Sequence, residues 1–443
     1  MLTRSFSGAS VLMVAATVTV GSPYSAAIAQ SDAPPFAQPL LGQVPANGAL
    51  SVVAAGNADR IAIYPNFDTV YDSNVLRRKQ PDGADASNVR FTPGVSLALR
   101  RSLGRFAFNV SGTAGYDFNN RYKFLNRSRL DFTAGAKAPV GALCNANLAA
   151  NYDQFQFDLG NVTQTLGSTT RNQDYDLSFG CQRPAGFSPV VGLSYHVASS
   201  AGTTLYGNQT GNSSGILNGP LKLFDYTQLG ERAGVAYAQP SLGVATLSVT
   251  ASQLRRPNVV DVIGIDDSTN IRSVTLSLDR AVSKRVQMNV AVGYTQANPS
   301  RGGVSSFAGV SYNGRVNWNI VPLFSVTASA ERQVTSENGI NATYVIREDY
   351  IAAVSWQLTR ASRVSVNGSR TNRDFRGEGL TVPIFQQDLI RADRTTDVGA
   401  RYSYDTARWL RLSIGADHQW RSADNSLFNY QSTSVSGSVG TQF

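Results

Sequence analysis

From about Ile61 to the end of the chain, apolar and polar residues alternate one by one. Over 105–118, Phe106, Phe108, Val110, Gly112, Ala114, Tyr116 and Phe118 fall on one side. Arg105, Ala107, Asn109, Ser111, Thr113, Gly115 and Asp117 fall on the other. A helix at about 3.6 residues per turn would scatter these positions, whereas a strand separates them. The stretch exceeds the roughly 5–6 residues of an ordinary strand and suffices to cross a membrane at a tilt. The same alternation returns at 286–295, where Val286, Met288, Val290, Val292 and Tyr294 share a side, and again at 310–318 and 410–417. The second side is small and polar with isolated charges. A soluble sandwich would have shorter strands and a more charged exterior, and a β-helix would show a short fixed repeat, which is absent.

Connections alternate as well. Short ones fall at 103–104, 139–141, 184–189, 240–241, 283–284, 321–322, 361–362 and 406–407. Longer polar ones fall at 78–87, 119–126, 160–169, 200–222, 255–269, 297–303, 335–342, 374–389 and 422–427. Short turns at one end and long loops at the other are the layout of outer-membrane barrels. Eight short turns and nine loops predict an all-β, antiparallel up-and-down transmembrane barrel of about 18 strands. A count of 16 stays open, because the first strand and the region 220–235 fit either reading. Lipid offers no hydrogen-bond partner, so a spanning sheet must close on itself. Trp318, Trp356 and Trp409 lie near short turns and Trp420 at the other end of its strand, where interfacial girdles belong.

Composition agrees with this picture. Only 16% of the 443 residues are charged, against about 25% in soluble domains, and the mean hydropathy of -0.16 is too polar for a helical membrane protein. Residues 1–29 read as a signal peptide: Arg4, an apolar run over 11–20, and Ala27-Ile28-Ala29 before Gln30. Residues 30–58 are a Pro/Ala-rich periplasmic lead-in, and 59–443 form the barrel. Loss of Arg4 with the leader lowers the formal charge from +9 to +8.

The final strand places Val435, Gly437, Val439, Thr441 and Phe443 on one side and stops at Phe443. That ending resembles the barrel-assembly signal of Gram-negative outer-membrane proteins, which implies the barrel-assembly machinery as a partner and the outer membrane, with its lipid and lipopolysaccharide, as the location. Ile63-Tyr64-Pro65-Asn66-Phe67, followed by Tyr71-Asp72-Ser73-Asn74-Val75-Leu76-Arg77, resembles the start of the putative β-barrel porin 2 family. The matching residues cover about fifteen positions, and strand–loop organisation extends over the rest. The resemblance implies an outer-membrane barrel without established catalytic residues. Some relatives are linked to exopolysaccharide production or export loci, so export components are implied partners.

Cys144 and Cys181 lie at the periplasmic ends of two consecutive strands with matching parity. They form either a cross-strand disulfide, which an oxidising compartment permits, or two free thiols on the outer surface. Basic residues are 34 Arg and 5 Lys. Arg90, Arg100, Arg105, Arg232, Arg315, Arg363, Arg401 and Arg411 fall on the polar parity, with Asp117, Asp279, Glu331, Asp397 and Asp417. They line a wet lumen that favours anions, or they form an internal salt-bridge lattice that selects nothing. Arg77, Arg78, Arg255 and Arg256 sit in loops, either touching lipopolysaccharide phosphates or solvated. Asp261, Asp266 and Asp267 share one loop but lack a calcium-binding spacing. Of the 2 His, His418 faces away from its neighbour Asp417, and His196 lies on the polar face with Ser194.

No catalytic constellation, zinc spacing or phosphate loop is present in the sequence. The reading is therefore not an enzyme, with no cofactor and no metal, and nucleic acid is disfavoured by compartment. The expected function is a porin-like channel passing or exporting a polar or anionic solute such as an exopolysaccharide. The alternative is a structural or adhesive surface protein with a closed lumen. Replacing Arg315 and Arg401 by Ala should lower anion preference if both line the path.

Overall fold

Each alternating segment becomes one strand because both its faces are then satisfied, one by lipid and one by the interior. The computed structural model describes residues 60–77, 79, 85–156, 165–181, 183–206, 225–260, 266–336, 342–377, 390–407 and 410–441. Its strands are β1 (Arg60–Asp72), β2 (Asn88–Leu103), β3 (Phe106–Asn119), β4 (Arg127–Val140), β5 (Cys144–Gln156) and β6 (Thr165–Cys181). There follow β7 (Gly186–Tyr206), β8 (Tyr226–Gln239), β9 (Gly243–Val260), β10 (Asp266–Ala281), β11 (Val286–Pro299) and β12 (Phe307–Val321). The last six are β13 (Phe324–Thr335), β14 (Tyr344–Gln357), β15 (Ser362–Arg376), β16 (Ala392–Ala407), β17 (Leu410–Ala423) and β18 (Tyr430–Thr441). All 18 form one sheet in which every strand pairs antiparallel with its sequence neighbours, and β1 pairs with β18. The 18 strands expected from the turns are thus present, and the sheet has no free edge.

Several strands run past the expected loop boundaries. β7 continues to Tyr206 and β9 to Val260, into the expected loops 200–222 and 255–269. Both keep pairing with a neighbour beyond those bounds, so the polar composition of their upper ends marks extension above the bilayer rather than departure from the sheet. At the opposite end the turns are tight. Gly104 and Gly141 adopt φ of +62° and +71°, a conformation glycine enters without the Cβ clash of other residues.

The apolar parity points outward. Ile61, Leu276 and Val292 are each more than half exposed, as a lipid-facing surface requires. The polar parity points inward, where Ser248, Thr250 and Ser311 are buried against neighbouring wall residues. Trp318 and Trp356 lie near the short-turn end and Trp420 near the other. Trp409 and Phe443 lie outside the described residues, as do residues 1–59.

The segment after Tyr71 secures the closing seam. Asp72 pairs with Arg77 at 2.7 Å, and Arg77 also donates to the Asn74 carbonyl at 2.7 Å. Ser432 of β18 donates its hydroxyl to Asp72 at 2.6 Å, and Asn74 donates to the Gln431 carbonyl at 3.0 Å. Arg77 is therefore folded back into the barrel mouth, not offered to lipopolysaccharide. Cys144 and Cys181 are directly opposed on β5 and β6 and are joined by a disulfide.

Candidate functional site: the barrel interior

The interior divides by height. Near the long-loop end its charges are buried and paired. Arg347 meets Asp349 at 2.7 Å, and the Thr371 hydroxyl donates to Asp349 at 2.6 Å. Arg373 reaches Asp393 through two hydrogen bonds, at 2.5 and 2.9 Å, and Arg421 donates to the same carboxylate at 2.6 Å. Further round the wall, Asp117 receives Arg129 at 3.1 Å, Arg90 at 3.7 Å and the Thr92 hydroxyl at 2.6 Å. These residues form the salt-bridge lattice that was one of the two sequence readings, and Arg90 and Asp117 belong to it. Arg411 belongs to a second pair, bidentate with Asp405 at 2.5 and 3.1 Å.

Lower in the wall the inward charges are not gathered into such a lattice. Arg315 and Arg363 face inward and are exposed, and neither has an ion-pair partner among the described residues. Arg315 stands opposite Asn289 and Ser329, which cannot neutralise it. Arg100 also faces inward without an ion pair among the described residues, as does Arg232 on β8. Arg401 lies opposite Gly415, one inward position from Asp417 on the facing strand. Arg105 departs from expectation: it occupies the tight turn between β2 and β3 and is exposed at the periplasmic rim. It has the right parity, but the chain reverses before its side chain can join the wall.

Acidic residues are not spread evenly. Asp131, Asp153, Asp174 and Asp176 face inward from β4, β5 and β6. The inward positions of β5, β6 and β7 hold Asn, Ser, Thr and Asp but no Arg or Lys among the described residues. The surplus of Arg over acid expected for the lumen therefore does not apply to this sector. His196 sits here, hydrogen-bonded to Asp174 and, at 3.1 Å, to the Tyr226 hydroxyl. His418 faces outward and bonds the Thr433 hydroxyl at 2.8 Å. Among the described residues, no group of three or more metal-ligating side chains forms.

One further feature is not marked by the alternation. The ladder between β12 and β13 runs up only as far as Tyr312 and Arg332, whereas β13 and β14 stay paired up to Thr335 and Val345. Above that point β13 parts from β12, and the β13–β14 hairpin, still paired to β15, bends inward. Tyr344 and Ile346 have outward parity yet are buried, at 0% and 5% exposure. They pack on Ala198, Tyr226, Leu254, Ile271 and Ala297, the inner face of β7–β11. The other side of the hairpin packs Val345 on Phe375 and Ala342. The Tyr344 hydroxyl donates to the Ser305 carbonyl at 2.7 Å, and Arg256 on β9 donates to the Ser336 hydroxyl at 2.9 Å. Arg256 is thus an interior anchor for the hairpin rather than a loop residue. Arg255 beside it points outward and is exposed. Arg78 and Asp261 lie outside the described residues.

Among groups above the bilayer, Asp85 in the β1–β2 loop bonds Ser87 and Arg121. The Ser87 hydrogen bonds, with Arg121 beyond them, hold its carboxyl below the usual carboxylate range. The Arg121–Asp85 contact is 2.5 Å and links the loops after β1 and β3.

An apolar outer face, a polar inner face and a closed ladder define a channel-class barrel of the outer membrane. The chain belongs to the putative β-barrel porin 2 family, whose model matches residues 63–443. Family and fold point to a channel rather than an enzyme, and to the outer membrane. No curated protein matches the chain. Among solved structures, it is similar to Pseudomonas aeruginosa OccK5 (OpdH), with 12% identity, 88% of this chain and 100% of that chain covered, and a TM-score of 0.39. It is also similar to a BenF-like porin from Pseudomonas fluorescens Pf-5, with 10% identity, 88% and 100% covered, and a TM-score of 0.44. For Pseudomonas aeruginosa OccK2 (OpdF) in complex with glucuronate, the identity is 8%, the coverage 86% and 98%, and the TM-score 0.43.

Proposed function

We propose that the protein passes hydroxyl-rich polar solutes passively through its interior, sugar chains such as an exopolysaccharide among them. The observation that supports this most is the polar inner wall below the hairpin, where Arg315, Asn319 and Arg363 are exposed inside a closed barrel. Such a wall hydrogen-bonds a hydroxylated chain without a chemical step. The unpaired Arg315 and Arg363 support passage of anionic sugars along β12 and β15, while the Arg-free wall of β5–β7 supports neutral ones. The link to export rests on the family resemblance.

The inward hairpin favours a second reading, a surface protein whose interior is shut at the long-loop end. Planar-bilayer recording of the purified wild type, beside a Tyr344→Ala/Ile346→Ala variant, separates the two. A steady wild-type current is expected. A silent wild type with a conducting variant would establish the closed reading, and silence in both would overturn the channel proposal.

A further inference from the structure

The outer wall holds charges as well as the inner one, and Arg332, Glu348, Arg370 and Arg394 stand together on β13–β16. On β15 the outward row runs Ser362, Val364, Val366 and Gly368, and the next outward position is Arg370. Arg370 lies on one cross-strand row with Tyr350, Thr396 and Trp420. Tyr and Trp on a lipid-facing wall collect where hydrocarbon gives way to headgroups, so this row marks the outer boundary of the bilayer. Arg394 stands one outward position higher, on β16, opposite Asn372.

These two arginines are held in an unusual way. The Nε of Arg370 and the Nε of Arg394 both donate to the Asn372 Oδ1, each at 3.2 Å. The Asn372 amide nitrogen donates to Glu348 at 3.3 Å, which fixes the amide with its oxygen toward the arginines. Glu348 is itself engaged by Arg332 at 3.3 Å. Neither Arg370 nor Arg394 has a carboxylate partner among the described residues, and both are exposed. Two guanidiniums are thus fastened by their Nε atoms to one acceptor, leaving their terminal amino groups free on the lipid side. Side chains placed only for solubility would not converge on one oxygen.

We propose that Arg370 and Arg394, positioned by Asn372, bind a phosphate of a phosphorylated glycolipid in the outer leaflet. Guanidinium groups recognise phosphate through paired, charge-assisted hydrogen bonds, and the level of Trp420 and Tyr350 sets the site at headgroup height. The assignment stands whether the interior conducts or not.

The test is native mass spectrometry of delipidated full-length barrel in detergent, titrated with bisphosphorylated lipid A and, separately, with its dephosphorylated form. Wild type should retain the phosphorylated lipid, and an Arg370→Ala/Arg394→Ala variant should lose about tenfold in affinity. An Arg280→Ala control, an outward Arg at the periplasmic end of β10, should bind as wild type. The heat-modifiable gel shift of a folded barrel confirms that each variant is intact; Arg370→Gln and Arg394→Gln singly replace the double variant if it fails to fold. Equal binding of the dephosphorylated lipid, or unchanged binding by the intact double or single variants, would overturn the assignment. Full displacement by millimolar inorganic phosphate would overturn the lipid as source. A second copy of the chain covering this face in lipid-free wild type would overturn the site itself.

Discussion

Asp393 illustrates how a charge is kept inside this wall. It is shared by Arg373 and Arg421, and all three are buried. Removing one member of such a set strands the others without compensation, at a cost of roughly 3–5 kcal/mol. Asp393→Ala should therefore lower the temperature of the heat-modifiable transition markedly, whereas Asp417→Ala, which breaks no ion pair among the described residues, should change it little. Arg315 and Arg363 are the opposite case, because neither has an ion-pair partner among the described residues. Reversal potentials in a salt gradient should move toward cation preference in an Arg315→Ala/Arg363→Ala variant; an unmoved potential would remove both residues from the path. Asp85 belongs to a third kind. Its carboxyl titrates below the usual range, so the Arg121 contact persists through mild acid and is lost only as pH falls through that depressed value. Which arginines are paired was illegible in the sequence. Arg373 finds Asp393 twenty positions away on the next strand while Arg315 finds Asn289, and the difference lies in register, which no single strand reveals.

The strands themselves were legible, since parity alone separates lipid from interior at nearly every position from Ile61 onward. The hairpin was not. Val334, Tyr344 and Ile346 satisfy the same alternation as any lipid-facing row, and the pattern cannot say that the row turns inward to meet Leu254 and Ile271. Only the charges Arg332 and Glu348, on the outward parity just below, hint that the bilayer has ended there. Truncating large buried apolar side chains costs about 2–5 kcal/mol each, so Tyr344→Ala/Ile346→Ala should free the hairpin and raise the mean or the noise of single-channel current. The β5–β6 bond is an element-scale feature of another kind. Cysteines separated by 37 positions close a loop whose bridging contributes roughly 4 kcal/mol in the chain-entropy account. Reduction should slow the migration of the unfolded band on a gel and lower the denaturant midpoint, and a Cys144→Ala/Cys181→Ala variant should show the second effect without reductant.

For the whole molecule, closure is the governing condition. β1 is paired on one side by β2 and on the other by β18, so a chain cut after Asn429 would expose two edges to hydrocarbon. Such a truncation should yield no heat-modifiable species in lipid vesicles; recovery of one would mean that the seam is dispensable. Sequence alone reached the strand count and the closed form because both follow from turn spacing and from the cost of unsatisfied backbone. It did not reach the distribution of charge around the circumference, which depends on which strands end up across from each other. Asp131, Asp153, Asp174 and Asp176 occupy one arc, and Arg315 and Arg363 project from β12 and β15, about half a circumference away. In the proposed channel, a molecule entering between them meets a lateral electric field as well as a bore. Water and zwitterionic solutes would turn to align with it, so orientation as well as diameter would decide how fast each one crosses.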